Sequence, residues 1–348
     1  MLGIFKKLFN IRDDINIERP QSFSGAPTPI AQELHKVSQH VAMVSADERL
    51  EASVDATALF YSLLFSVGKD SGGVANALER RVLAAVEQAL MSPQQVAANV
   101  LKLPGRIMEL DRKLSDPEFC SQDIVKIIQQ DPVLSADVIQ ACNAPVFRRS
   151  ERSITNLPQA LVVLGSERLR RIVTTCMMKE MIAIKPIYFR RFGAQLWRHS
   201  LQVAFLAGEL DKQHSDTAFM VGLLHDVGKI AIFKLLLDVF NQTDPSEQPK
   251  SWLFRQVMTA RSLELSSLLV SCWQLPATFA ETLSPLASSL APAAGLSRVV
   301  WQANVISECS MLYEEGRLAE PLLDNLLSEI ALSPQQFLFY HNKIKEIK

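Results

Sequence analysis

"GLLHDVGKIAIF", residues 222–233, sets a histidine and an aspartate side by side inside an otherwise apolar run. His225 and Asp226 close one apolar segment, "AFMVGLLHD", and Gly228 and Lys229 open the next. A helix that is hydrophobic on all sides belongs in an interior. The pair is therefore expected to be buried and to need partners, because unpaired charge away from water is costly. Upstream, Leu196, His199, Val203, Leu206 and Leu210 recur at spacings of three and four, which puts His199 in an inward-facing helical stripe. Two interior histidines and one carboxylate suit a divalent ion of the Mn, Fe or Mg type. Such an ion would polarise a phosphoryl oxygen and acidify a bound water. The competing reading is a pair of core histidines bonded to backbone groups.

Helical punctuation surrounds this stretch. "SPQQVAANVL" (92–101) and "SPQQFLFYHN" (333–342) both offer Ser as N-cap, Pro at the first helical position and Gln at the third, a combination that satisfies orphan N–H groups at a helix start. Asp131 followed by Pro132 reads the same way, and Gly165 with Ser166 ends one helix and starts the next. Asn143 is placed to tie a loop. Long helices are expected around 187–212 and 295–315, and "NQTDPSEQPK" (241–250) reads as a loop. No sustained period-two alternation and no Asn-Gly or Asp-Gly turn marks a strand.

The chain of 348 residues is 48% hydrophobic and 21% charged, with a net charge of −1. That composition is globular and carries no overall field to recruit nucleic acid or a membrane. Thirteen glycines are few for a β-sandwich or a Rossmann-type protein, and no apolar run has the length of a membrane span. Five scattered cysteines without a C-x-x-C pair read as reduced thiols of a cytoplasmic protein. No Walker loop, G-x-G-x-x-G, G-x-S-x-G or H-E-x-x-H occurs.

The spacing His199…His225–Asp226, with "HDVGK", resembles the HD superfamily of metal-dependent phosphohydrolases. Further stretches narrow the resemblance to the HDOD (HD-related output domain) family over roughly residues 99–294. They are "LPGRIMELDRKLSDPEFCSQDIVKIIQQDPVLSADVIQACNAPVF", "SITNLPQALVVLGSERLRRIV" and "CWQLP". The resemblance implies that His199, His225 and Asp226 are the metal-ligand positions. A complete HD site also has an aspartate on a later helix, where Asn304 in "VVWQANVISECS" stands here. Binuclear relatives, including the HD-GYP cyclic-di-GMP phosphodiesterases, use additional histidines. "ARSLELSSLLVSCWQLPATFAETLSPLA" contains none, and no GYP triplet occurs in the chain. Lys229 resembles a lysine that meets phosphate in HD enzymes; its plainer reading is an exposed residue near a helix end.

Charge is unevenly spread. Arg148 to Arg198 holds eleven basic residues against three acidic ones, and Glu308 to Glu329 holds six acids and only Arg317. Arg168, Arg170 and Arg171, with Lys229, are the ligand-binding candidates of the basic stretch, unless they pair with acids of the same chain.

The expected architecture is all-α, a multi-helix orthogonal bundle, HD-superfamily-like by resemblance. Its parts are a leader (1–30), an N-terminal helical region (31–95), the HDOD domain (99–294) and C-terminal helices packing on it (295–348). The family likeness implies a non-catalytic bacterial signalling output module with a degenerate metal site. It would bind other signalling proteins or a cyclic dinucleotide, with no integral membrane association, no nucleic acid, and a homodimer left open. No cofactor is expected, or at most a single divalent metal. The alternative is a metal-dependent phosphohydrolase acting on nucleotides or phosphate esters.

Overall fold

The computed structural model of the chain describes residues 59–60, 63–64, 77–103, 105, 121–145, 147–148, 152–182, 190–242, 251–288 and 291–347. The expected leader, most of the helices expected within 31–76, Cys120 and most of the 241–250 loop lie outside the described residues. Among those described there are thirteen α-helices of seven residues or more and no strand. They are α1 (Ala77–Met91), α2 (Ser121–Gln129), α3 (Pro132–Cys142), α4 (Leu157–Leu164), α5 (Ser166–Ile182), α6 (Arg190–Leu210), α7 (Ser215–Leu224), α8 (Val227–Asn241), α9 (Ser251–Cys272), α10 (Ala277–Leu283), α11 (Gly295–Glu314), α12 (Glu320–Glu329) and α13 (Pro334–Ile344).

Local chemistry sets most boundaries. Asp131 caps α3 by accepting from the amides of Val133 (2.9 Å) and Leu134 (3.2 Å), with Pro132 in the first turn. Gly165, at φ 81°, ends α4 where an L side chain would be strained. Asn143 ties α3 to the start of α4, exchanging two bonds of 2.8 Å with the backbone of Ile154. Ser333 and Gln336 form a reciprocal capping box on α13. The matching tetrapeptide at Ser92 behaves differently. Its amide is still held by the Gln88 carbonyl of α1 at 2.9 Å, so Ser92 continues the end of that helix and its side chain caps nothing. The chain then runs through Pro93–Gln95 into a π-helical turn, Val96–Val100.

Helix α6 lies at the centre, packed against α7 and α11, with α5 and α13 also touching it. Its expected stripe is inside: Leu196, His199, Val203 and Leu206 are buried and Leu210 is half-buried. Helix α8 packs on α9 and α1, and Val227, Ile230, Ala231, Ile232 and Phe233 are all buried, as an apolar circumference requires.

Two glycines set how closely these helices meet. A Cβ on Gly222 would come within 2.9 Å of the Ala204 Cα, so α7 crosses α6 nearly backbone to backbone. A Cβ on Gly228 would come within 1.9 Å of the Ser262 carbonyl oxygen, and the Gly228 amide donates to Ser266 Oγ at 2.9 Å. These approaches bracket the His225–Asp226 corner and press it against α6 on one side and α9 on the other.

Candidate metal centre

His199 on α6, His225 at the end of α7, Asp226 in the α7–α8 corner and Asn304 on α11 meet at one point. The His199 and His225 Nε2 atoms are 3.3 Å apart, and Asn304 Oδ1 lies 3.0 and 3.1 Å from them. Asp226 Oδ2 lies 3.4 Å from His199 Nε2, and Oδ1 lies 3.3 Å from His225 Nε2. Ligands held at about 2.1 Å by a common ion sit roughly 3.0–3.4 Å from one another. The triad His199–His225–Asp226 is the one group of three or more His, Cys, Asp or Glu side chains among the described residues placed to hold an ion.

Proton directions strengthen that fit. His225 Nδ1 is 2.7 Å from the Gly222 carbonyl, which can only accept, so Nδ1 carries the proton and Nε2 the lone pair. Asn304 turns its Oδ1 toward both histidines. Neither Asp226 oxygen receives a well-directed hydrogen bond. The lone pair of the His225 imidazole therefore converges with a carboxylate and an amide oxygen, beside the Nε2 of His199, an arrangement that a cation relieves.

Electrostatics agree. Burial drives the His199 pKa well below its ordinary value, against the pull of Asp226, and lowers that of His225 in the same way. Both rings are neutral, as metal ligation needs. Burial pushes the Asp226 carboxyl up, but its interactions with His225, Lys229 and His199 outweigh burial and hold it below the usual carboxylate range. The Lys229 ammonium is the standing positive charge among them, with Nζ 2.7 Å from Asp226 Oδ1.

Three features differ from the sequence reading. Lys229 is not an exposed helix-end residue: it is 5% exposed and pairs with Asp226, because Gly228 draws the start of α8 into the core. A further acid, Glu308, lies buried beside the centre; burial, with Asp226 adding and Lys229 and Asn304 opposing, raises its pKa to about 7. Its spacing from Asn304 was the available signal. Phe60 is fully buried with its ring 4.6 Å from that of His199, and the Lys229 ammonium sits 5.9 Å from the same ring. The arginine candidates lie elsewhere. Arg170 pairs with Glu167 (2.8 Å) and Asp216 (2.9 Å), Arg171 pairs with Asp216, and Arg168 is half-buried. Arg198 joins the basic stretch to the acidic one through Glu314 at 2.7 Å.

The HDOD domain family model matches residues 83–285. The chain belongs to the HDOD family. Among curated proteins, it is 28% identical over 143 residues to the cyclic di-GMP phosphodiesterase CdgJ of Vibrio cholerae, covering 40% of this chain and 29% of that protein. It is 22% identical over 187 residues to an uncharacterised protein of Treponema pallidum, covering 51% of this chain and 36% of that one. The chain thus spans about a third of the length of these relatives. Among solved structures, a Shewanella amazonensis protein provisionally assigned as a metal-dependent phosphohydrolase matches with TM-score 0.55 and 18% identity, covering 76% of this chain and all of that one. An HDOD domain protein of unknown function from Geobacter sulfurreducens matches with TM-score 0.51 and 19% identity, covering 78% of this chain and 99% of that one. These likenesses establish the HD-like helical fold. No described helix is long and apolar enough to cross a membrane.

Proposed function

We propose that this HDOD protein is a signalling output module that acts by binding other proteins, and that its polar cluster is a buried single-cation centre rather than a hydrolytic site. The observation that carries this reading is the Lys229–Asp226 pair beneath Phe60. Among the described residues, the one carboxylate in the ligand set is already matched by an ammonium, and the histidine face is covered by an aromatic ring. Bridging two metals over a phosphoester needs further anionic ligands and an open face. Asn304 contributes a neutral oxygen instead. Glu308 is neutral to half-ionised near pH 7 and lies outside the ligand set.

One cation still fits the donors. Two imidazole nitrogens favour Mn or Fe over Mg, which seeks oxygen and retains its water. When bound, such an ion supplies Lewis acidity; this chain's own residues fix the ligands and keep water out. The buried free thiols Cys142, Cys176 and Cys309 suit a reducing compartment, which supports the cytoplasmic placement. Pairing of Arg170 and Arg171 with Asp216 favours a protein partner over a nucleotide at that face.

The converging lone pairs are what favours the second reading, a metal-dependent phosphohydrolase. Protein reconstituted with Mn or Fe is to be assayed on cyclic di-GMP, nucleoside monophosphates and p-nitrophenyl phosphate. The binding reading expects no turnover above that of the Asp226→Asn variant. Turnover abolished by that substitution would establish the enzyme instead.

A further inference from the structure

The orientation of His199 is traceable to the C-terminal helix, beyond the stretch matched by the family. The Ile344 carbonyl, in the last turn of α13, accepts from the Ile347 amide at 2.9 Å and, through its second lone pair, from Gln202 Nε2 at 3.2 Å. A carbonyl can only accept, so Gln202 must turn its amino group toward Ile344 and its Oε1 away. That oxygen takes the Ser307 hydroxyl proton at 2.8 Å. With its single proton so directed, Ser307 Oγ can only accept from His199 Nδ1, 2.9 Å away. Nδ1 then carries the ring proton, and Nε2 presents its lone pair to Asp226 and Asn304. His199, Gln202, Ser307 and Ile344 are all buried, so water does not substitute for any link.

We propose that this chain of bonds is a tautomer lock: the end of α13, acting through Gln202 and Ser307, holds His199 in the form that can ligate a metal. Both tautomers are otherwise satisfiable. A Ser307 hydroxyl free to rotate could donate to Nδ1, and an Nε2 proton would find Asn304 Oδ1 at 3.0 Å and Asp226 Oδ2 at 3.4 Å as acceptors. The direction imposed at Ile344 decides between them. Gln202 and Ser307 are thus positioning residues, and α13 links the C-terminal segment to the centre. Arg198, beside His199, reads the same helix end, donating to the carbonyls of Ile347 at 2.7 Å and Lys345 at 3.2 Å. Residues one turn apart on α6 therefore both report how α13 is seated.

The metal side of the proposal rests on the single-cation reading above; the tautomer does not. The test is long-range proton–nitrogen correlation of the metal-free full chain labelled with 15N-histidine, with His199 assigned by His199→Gln. The expected result is a protonated Nδ1 in the wild type. In Gln202→Leu the proton moves to Nε2 and Mn binding weakens 10–100-fold. Gln202→Glu, which keeps an acceptor for Ser307, retains the Nδ1 proton. A wild-type His199 protonated at Nε2 overturns the lock whether or not the variants fold, as does an unshifted Gln202→Leu. If Mn fails to bind a wild type whose Nδ1 is protonated, the cation reading falls and the lock stands.

Discussion

Lys229 and Asp226, one helical turn apart, form an ion pair of 2.7 Å in which both side chains are buried. The ammonium is the resident positive charge of a centre whose other members present lone pairs. It keeps Asp226 ionised, and it competes with any cation for the same oxygen.

Removing that ammonium leaves a buried carboxylate uncompensated, a defect that typically costs about 3–5 kcal/mol. Lys229→Met is expected to lose stability of this order in chelator, measured by urea denaturation. Because the competitor is gone, Mn should bind it more tightly than the wild type, by about tenfold or about 1.4 kcal/mol, and restore much of the loss. Weaker Mn binding in this variant would contradict the assigned competition.

Phe60 covers the face of His199. Phe60→Ala should lose about 3–5 kcal/mol as a core truncation. It should also make His199 and His225 reactive toward diethylpyrocarbonate, as mapped by mass spectrometry, whereas Phe60→Leu stays protected. Equal reactivity of wild type and Phe60→Ala would show that the ring is not the cover.

Glu308 gives a pH signature. Its folded pKa of about 7 lies above the ordinary value of 4.5. The neutral form is thus favoured by folding, and its contribution is full below about pH 4.5 and lost as pH rises through 7. Between pH 5 and pH 8 the wild type should lose on the order of 3 kcal/mol relative to Glu308→Gln, which stays neutral throughout. Chelator-treated samples compared by thermal melting at both pH values check this; parallel behaviour of the two proteins would place Glu308 in a wetter environment.

Gly228→Ala sets a methyl group against the Ser262 carbonyl, where a Cβ has 1.9 Å. Separating α8 from α9 should cost more than about 3 kcal/mol and disturb the Asp226 corner, measured as a lowered Tm together with weakened Mn binding. A near-neutral result would mean the two helices do not meet as described.

Much of this was legible in the sequence, for identifiable reasons. Caps at Asp131, Gly165 and Ser333 act within a few residues, and the α6 stripe is periodic, so local rules find them. The His199–His225–Asp226 convergence also followed, since an apolar run offers polar side chains no direction but inward. Lys229 was misplaced because lysine is rarely buried and nothing local announces the close packing at Gly228. Phe60 lies 139 positions before His199, a separation no periodicity bridges. Glu308 was within reach, one turn from Asn304 on the face that also holds Val300 and Met311. The arginines illustrate the limit of counting charges: a surplus does not reveal that Arg170 and Arg171 share Asp216.

The most direct test of the single-cation centre is calorimetric titration of the metal-free full chain with Mn. The account predicts one equivalent bound by the wild type and none by His225→Ala or Asp226→Asn. Two equivalents, or one that survives both substitutions, would contradict it.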